Sequence, residues 1–67
     1  MNTDELLRAL DDADVYVMVN GQIGFITNAT RVRNDWLFSV ADDDTRVKIG
    51  EITVPADGSI EVVRVVR

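Results

Sequence analysis

The sequence predicts an α+β fold: one short N-terminal helix packed on a curled antiparallel sheet of about five strands joined as a meander. Three observations predict it. Asp14 to Thr27 alternates apolar side chains on either side of Asn20-Gly21, a dipeptide suited to the tight turn of a β-hairpin. Leu6, Leu7 and Leu10 make an apolar stripe at helical spacing just before it. The rest of the chain is cut into short β-rich runs by Asn34-Asp35, by Asp42-Asp43-Asp44 and by Pro55-Ala56-Asp57-Gly58.

The helix is predicted from Thr3 to about Asp11. Asn2 is a good N-cap, Glu5 stands three residues later at capping-box spacing, and Asp4 and Glu5 complement the helix dipole. A helix this short is marginal in water, so its leucines must lie on the sheet, with Gly24 the expected point of close approach. Asp11, Asp12 and Asp14 follow at the C-terminal end, where negative charge opposes the dipole. Residues set against local preference are candidates for function.

In the hairpin, a two-residue Asn20-Gly21 loop sets Val19 opposite Gln22, Met18 opposite Ile23, Val17 opposite Gly24, Tyr16 opposite Phe25 and Val15 opposite Ile26. One face then carries Tyr16, Met18, Ile23 and Phe25, the other Val15, Val17, Val19 and Ile26. Both are apolar, so the curl of the sheet or a partner chain is expected to cover the face the helix leaves.

Residues 28–33 continue that strand or begin another. An Asn34-Asp35 turn would set Arg33 opposite Trp36, close enough to stack on its ring. Trp36, Phe38 and Val40 share one face of the next strand, and Leu37 points the other way. Arg46 to Val54 changes phase at Gly50-Glu51, which we read as a β-bulge in preference to a tight turn. Ser59 to Arg67 reads as the last strand, with Ile60 and Val62 on one face and Val63 and Val65 on the other.

Sixty-seven residues make a single domain with a small core. There is no cysteine and no histidine, which removes disulfides and thiolate metal sites and points to a reducing compartment such as the cytoplasm. No apolar run is long enough to span a membrane, and Asp4 and Glu5 stand where a signal peptide would be basic.

Catalysis is not expected. Acid–base chemistry would fall to carboxylates, Lys48 or Tyr16, and Ser39 and Ser59 have no histidine to activate them. Neither Asp42-Asp43-Asp44 nor Asp12-Ala13-Asp14 continues into a calcium loop, and Gly21-Gln22-Ile23-Gly24 lacks the pattern of a phosphate loop, so neither metal nor cofactor is expected. Arg31, Arg33, Arg46 and Lys48 could line a basic strip, but the net charge of −5 opposes direct nucleic-acid binding.

The charge is unevenly spread. Residues 1–45 hold nine acids against Arg8, Arg31 and Arg33, whereas residues 46–67 are close to neutral. Clustered carboxylates on a rigid sheet can imitate a row of phosphates and dock on a cationic groove of a nucleic-acid-binding protein. The residues expected to do so are Asp11, Asp12, Asp14, Asp42, Asp43 and Asp44, with Asp35 and Glu5 secondary.

The opening Met-Asn-Thr-Asp-Glu-Leu-Leu-Arg, then Tyr16-Val17-Met18-Val19 and a hairpin meander in a tiny, acidic, cysteine-free chain, resembles the small phage-encoded anti-CRISPR proteins. Several of those are DNA mimics. The resemblance implies a non-enzymatic inhibitor in the cytoplasm of a bacterial host. Its partner would be a CRISPR-Cas effector, of type I as the best guess, blocked at the subunit that reads the protospacer-adjacent motif. The alternative is a small phage or mobile-element assembly module that self-associates through Val63, Val65 or Trp36. Monomer and homodimer are both compatible with the sequence.

Overall fold

The computed structural model describes all residues from Met1 to Arg67. The elements are α1 (Thr3–Ala9), β1 (Asp14–Val19), β2 (Gln22–Val32), β3 (Asp35–Asp42), β4 (Lys48–Pro55) and β5 (Arg64–Val66). The five strands form one antiparallel sheet in the order β4-β3-β2-β1-β5, with the helix against one face. This is the α+β domain that the sequence predicts. β1 to β4 run as a meander, and β5 then crosses to the opposite edge and joins β1.

The helix begins where its capping residues require. The Asn2 side chain accepts from the Glu5 N–H at 2.8 Å, and the Glu5 carboxylate accepts from the Asn2 N–H. Regular helix stops at Ala9, two residues short of the expected end, and turn-like bonds from the Asp11 and Asp12 N–H groups finish it. Leu6 is fully buried and Leu7 and Leu10 are half-buried. The chain start is also pinned from the other side. Thr3 Oγ1 donates to the Pro55 and Gly58 carbonyls, and Met1 and Ile60 exchange main-chain bonds.

The first hairpin has the expected register from Val19↔Gln22 to Tyr16↔Phe25, with Asn20 at φ 52° and Gly21 at φ 77°. No such pairing extends to Val15 and Ile26, because the β2 ladder against β3 shifts at Thr27. This bulge leaves Thr27 without a partner and turns Ala29 to the same side as Ile26. The core therefore takes Val15, Val17 and Val19 from β1, Ile26 from β2, Phe38 and Val40 from β3 and Val54 from β4, under Leu6.

Four expectations are corrected. The β2–β3 turn is Arg33-Asn34, one residue earlier than read, so Arg31 and not Arg33 faces Trp36, its guanidinium carbon 5.6 Å from the ring centroid. The bulge in β4 lies at Ile49, which is skipped between Lys48 and Gly50, just before the predicted Gly50-Glu51. Gly24 does not receive the helix. A Cβ there would collide with the Ala41 carbonyl and with Val40 Cγ1, so glycine serves the tight approach of β3 on β2. Gly50 does the same for the curl of the sheet, since a Cβ would stand 2.6 Å from Val19 Cγ1 on β1. Last, only Arg64–Val66 of the predicted final strand forms a ladder in the sheet; Ser59 bridges Asn2 beside the helix, and the chain then crosses to β1, which it first meets where the Val63 N–H donates to the Tyr16 carbonyl.

Candidate functional site

The eight acidic residues singled out from the sequence do not form one surface. β3 carries Asp35 at one end and Asp42 at the other, roughly 23 Å apart at ~3.3 Å per residue. Glu5 is occupied in the helix cap. Asp11 and Asp12 lie in the turn after α1, and Asp12 is paired with Arg67 at 2.8 Å.

In the second cluster, Asp42 is a loop fastener. Its Oδ1 accepts from the Asp44 and Thr45 N–H groups at 2.9 and 3.0 Å, and its Oδ2 accepts from Gln22 Nε2 at 3.1 Å. The Thr45 and Asp44 amides hold the Asp42 carboxyl below its ordinary pKa of 3.8, against a smaller opposing effect of burial. This local geometry explains the acidic run better than display does: an Asx turn needs its first carboxylate folded back onto the chain. Asp44 remains exposed and unpaired. No three carboxylates converge closely enough to hold a metal ion.

One of the eight is tied to a residue chosen for other reasons. The Tyr16 hydroxyl donates to Asp43 Oδ1 at 2.9 Å, and the charge of Asp14, two residues along β1, also reaches it. Tyr16 lies on β1, on the face away from the helix. Phe25 lies beside it with ring centroids 6.2 Å apart. Arg64 lies over Tyr16 at 4.4 Å, and Arg46 lies over Phe25 at 5.1 Å. The sequence expectation that this face needs a cover is thus met in part by two arginines of the same chain, flat against the rings. Met18 and Ile23 stay open to solvent, 52% and 44% exposed.

A groove on the other side was not anticipated. It runs between α1 and the lower half of the β2–β3 hairpin and has a volume of about 380 Å³. Leu7 and Leu10 form one wall, and Ile26, Ala29 and Trp36 form the floor and the other wall. Asp11 and Asp14 stand on its rim. The sequence carried no local signal for it: Ile26 and Ala29, an odd number of residues apart, share a strand face only because the Thr27 bulge intervenes.

No protein-family model, no curated protein and no solved structure matches this chain. No helix is long and apolar enough to cross a membrane.

Proposed function

We infer that this chain is a non-enzymatic binding protein that docks on a cationic surface of a partner protein. The observation that carries this reading is the disposition of charge. Of twelve acidic side chains, only Asp12 and Glu51 have an ion-pair partner. The cations are largely taken: Lys48 and Arg67 by those pairs, and Arg31, Arg46 and Arg64 by aromatic rings. The acid excess is consequently left for another molecule to neutralise. A surface of this kind is drawn to Lys- and Arg-lined grooves, with binding that weakens as salt rises.

The resemblance to anti-CRISPR proteins supports a particular partner, the DNA-binding cleft of a CRISPR-Cas effector of type I, occupied in the bacterial cytoplasm so that the protospacer-adjacent motif is not read. Asp11, Asp14 and Asp44 are the residues best placed for the contact; Asp12, Asp42, Asp43 and Glu5 already have partners within the chain, and Asp35 stands apart. The test is inhibition of target-DNA binding by a purified type I effector at several salt concentrations. Reversing Asp11 and Asp14 together, or Asp44 alone, to lysine should weaken inhibition by several-fold to about tenfold and flatten its salt dependence, each reversed charge acting as a lost phosphate mimic. Undiminished inhibition by both variants would falsify the reading.

A second reading has its own observation. Met18, Ile23 and Val63, 52%, 44% and 46% exposed, offer apolar area for self-association through the sheet. Sedimentation separates the two readings: an assembly module dimerises equally at low and high salt, whereas acidic docking leaves the isolated chain monomeric.

A further inference from the structure

The groove beside the helix has a floor and a rim of opposite character, and the contrast identifies its occupant. Leu7, Leu10, Ala29 and Trp36 are only half-buried around a buried Ile26, so apolar side chains stand unfilled there, beside a larger polar share that Asp11, Asp14, Thr27 and Asn28 contribute. The volume of about 380 Å³ falls at the low end of the ~300–1,000 Å³ typical of ligand clefts. That admits a few side chains and excludes a folded domain.

Asp11 and Asp14 on the rim have no cation from their own chain. Arg67 is held by Asp12, and Arg31 is stacked on Trp36 with its Nε donating to the Arg33 carbonyl at 2.7 Å. An anionic occupant would be repelled. A purely apolar one would strip water from two carboxylates and return nothing. The main chain adds a third requirement. β2 pairs with β1 only as far as Phe25, so on the side of the groove the β2 edge from Asn28 to Val32 has no neighbouring strand. An extended segment can pair with such an edge.

The geometry points to a short extended segment of a partner protein as the occupant of this groove, its apolar side chains on Trp36 and Ala29 and a flanking arginine or lysine at Asp11 and Asp14. This rests on the acidic-docking reading above and deepens it, by giving the cationic partner an apolar anchor.

Trp36 is the sole tryptophan, so its emission reports on the groove directly. The probe is a synthetic peptide, Arg-Leu-Val-Leu-Arg with blocked ends, titrated into the intact chain. Control peptides replace the three central residues by Ser-Gly-Ser, or both arginines by glutamate. The expected result is a saturable blue shift of Trp36 emission, with amide NMR shifts concentrated at Asn28 to Val32. Both controls should bind at least about tenfold more weakly, a difference of ~1.4 kcal/mol. Ala29→Leu, which fills the groove, should lower affinity by about the same factor. The exposed pair Asp11→Asn and Asp14→Asn leaves the fold intact whatever Ala29→Leu does. It should weaken binding several-fold at low salt and little at ~1 M, where the Debye length is only ~3 Å.

Peptide binding with Trp36 unmoved, equal binding by the control peptides, or no binding at millimolar peptide would overturn the inference. So would a Trp36 shift on raising protein concentration alone, which would make a second copy the occupant. The two proposals fail separately. If Ala29→Leu inhibits the effector fully while the charge reversals do not, acidic docking stands and the groove falls. If the peptide occupies the groove but charge reversal leaves effector inhibition intact, the reverse holds.

Discussion

The Tyr16 hydroxyl and the Asp43 carboxylate are 2.9 Å apart across 27 residues of sequence, and their hydrogen bond fastens the β3–β4 loop to β1. The bond from the phenol to Asp43 is the main reason the Tyr16 pKa lies above its ordinary 10.0; burial and the negative charges of Asp43 and Asp14 add to it, and Arg64 opposes it. Because the folded value is the higher one, the stability that this bond contributes is fully present below the unfolded value and is lost as pH rises through the folded one. Tyr16 is the only tyrosine, so ultraviolet titration reads it without overlap. Its midpoint should lie above 10.0 and fall in Asp43→Asn. A midpoint at the free-tyrosine value in the native chain would mean that the bond does not form in solution.

Asp42 gives the opposite pH dependence. Its folded pKa is depressed by the Thr45 and Asp44 amides, so its contribution is present above 3.8 and lost as pH falls through the depressed value. Asp42→Asn keeps an acceptor oxygen but no charge. Thermal unfolding should therefore show the variant less stable than the native chain at pH 7, with the gap narrowing progressively as pH falls below 3.8. A gap that persists unchanged into acid would point to shape, not charge, as the function of Asp42.

Gly24→Ala and Gly50→Ala should differ in cost. The new methyl at position 24 meets the Ala41 carbonyl, which is backbone and cannot move alone. The one at position 50 meets a methyl of Val19, 2.6 Å away, on a side chain that can be trimmed. Overpacking of this kind costs about 1–3 kcal/mol. Urea denaturation should put Gly24→Ala at or beyond the upper figure, and adding Val19→Ala should recover part of the loss of Gly50→Ala but none of that of Gly24→Ala. Equal rescue of both would show that the curl of the sheet is not held by these two contacts.

Arg33 sits at φ 56° in the β2–β3 turn, a left-handed conformation that costs an ordinary L residue ~1–2 kcal/mol. Arg33→Asn, with a side chain that tolerates this region, should stabilise the chain by roughly 0.5–1 kcal/mol in denaturant melts. The β2–β3 register should be unchanged, so the Arg31–Trp36 stack remains. A destabilised variant would show that the Arg33 side chain makes a contribution larger than the strain.

The turn at Arg33 also shows where sequence reasoning loses its footing. Asn34-Asp35 is the better turn dipeptide by composition, yet the ladder closes one residue earlier, at Arg33-Asn34, with the pairs from Asn28 to Val32 offset by the Thr27 bulge. A bulge is decided by packing across strands, and its residue looks like any other threonine in a β run. The same shift brought Ala29 into the groove and hid that groove from a reading based on strict alternation. The acidic run misled in a related way. Three successive aspartates look alike in sequence, but the fold uses one to tie a loop, one to hold Tyr16 and leaves one free.

By itself the sequence determined the helix and its cap at Asn2 and Glu5, the hairpin at Asn20-Gly21 with its register from Val19↔Gln22 to Tyr16↔Phe25, the grouping of Val15, Val17 and Val19 on one face, and the excess of negative charge. Each of these follows from neighbours within a few residues, where capping, φ preference and alternation act. Only the tertiary structure decided that β5 joins β1, that two arginines lie on Tyr16 and Phe25, and that Asp11 and Asp14 rim an apolar groove against Trp36. Those contacts join residues far apart in the chain. Their energies depend on which edge is free and which side chain fits, and no local pattern encodes that.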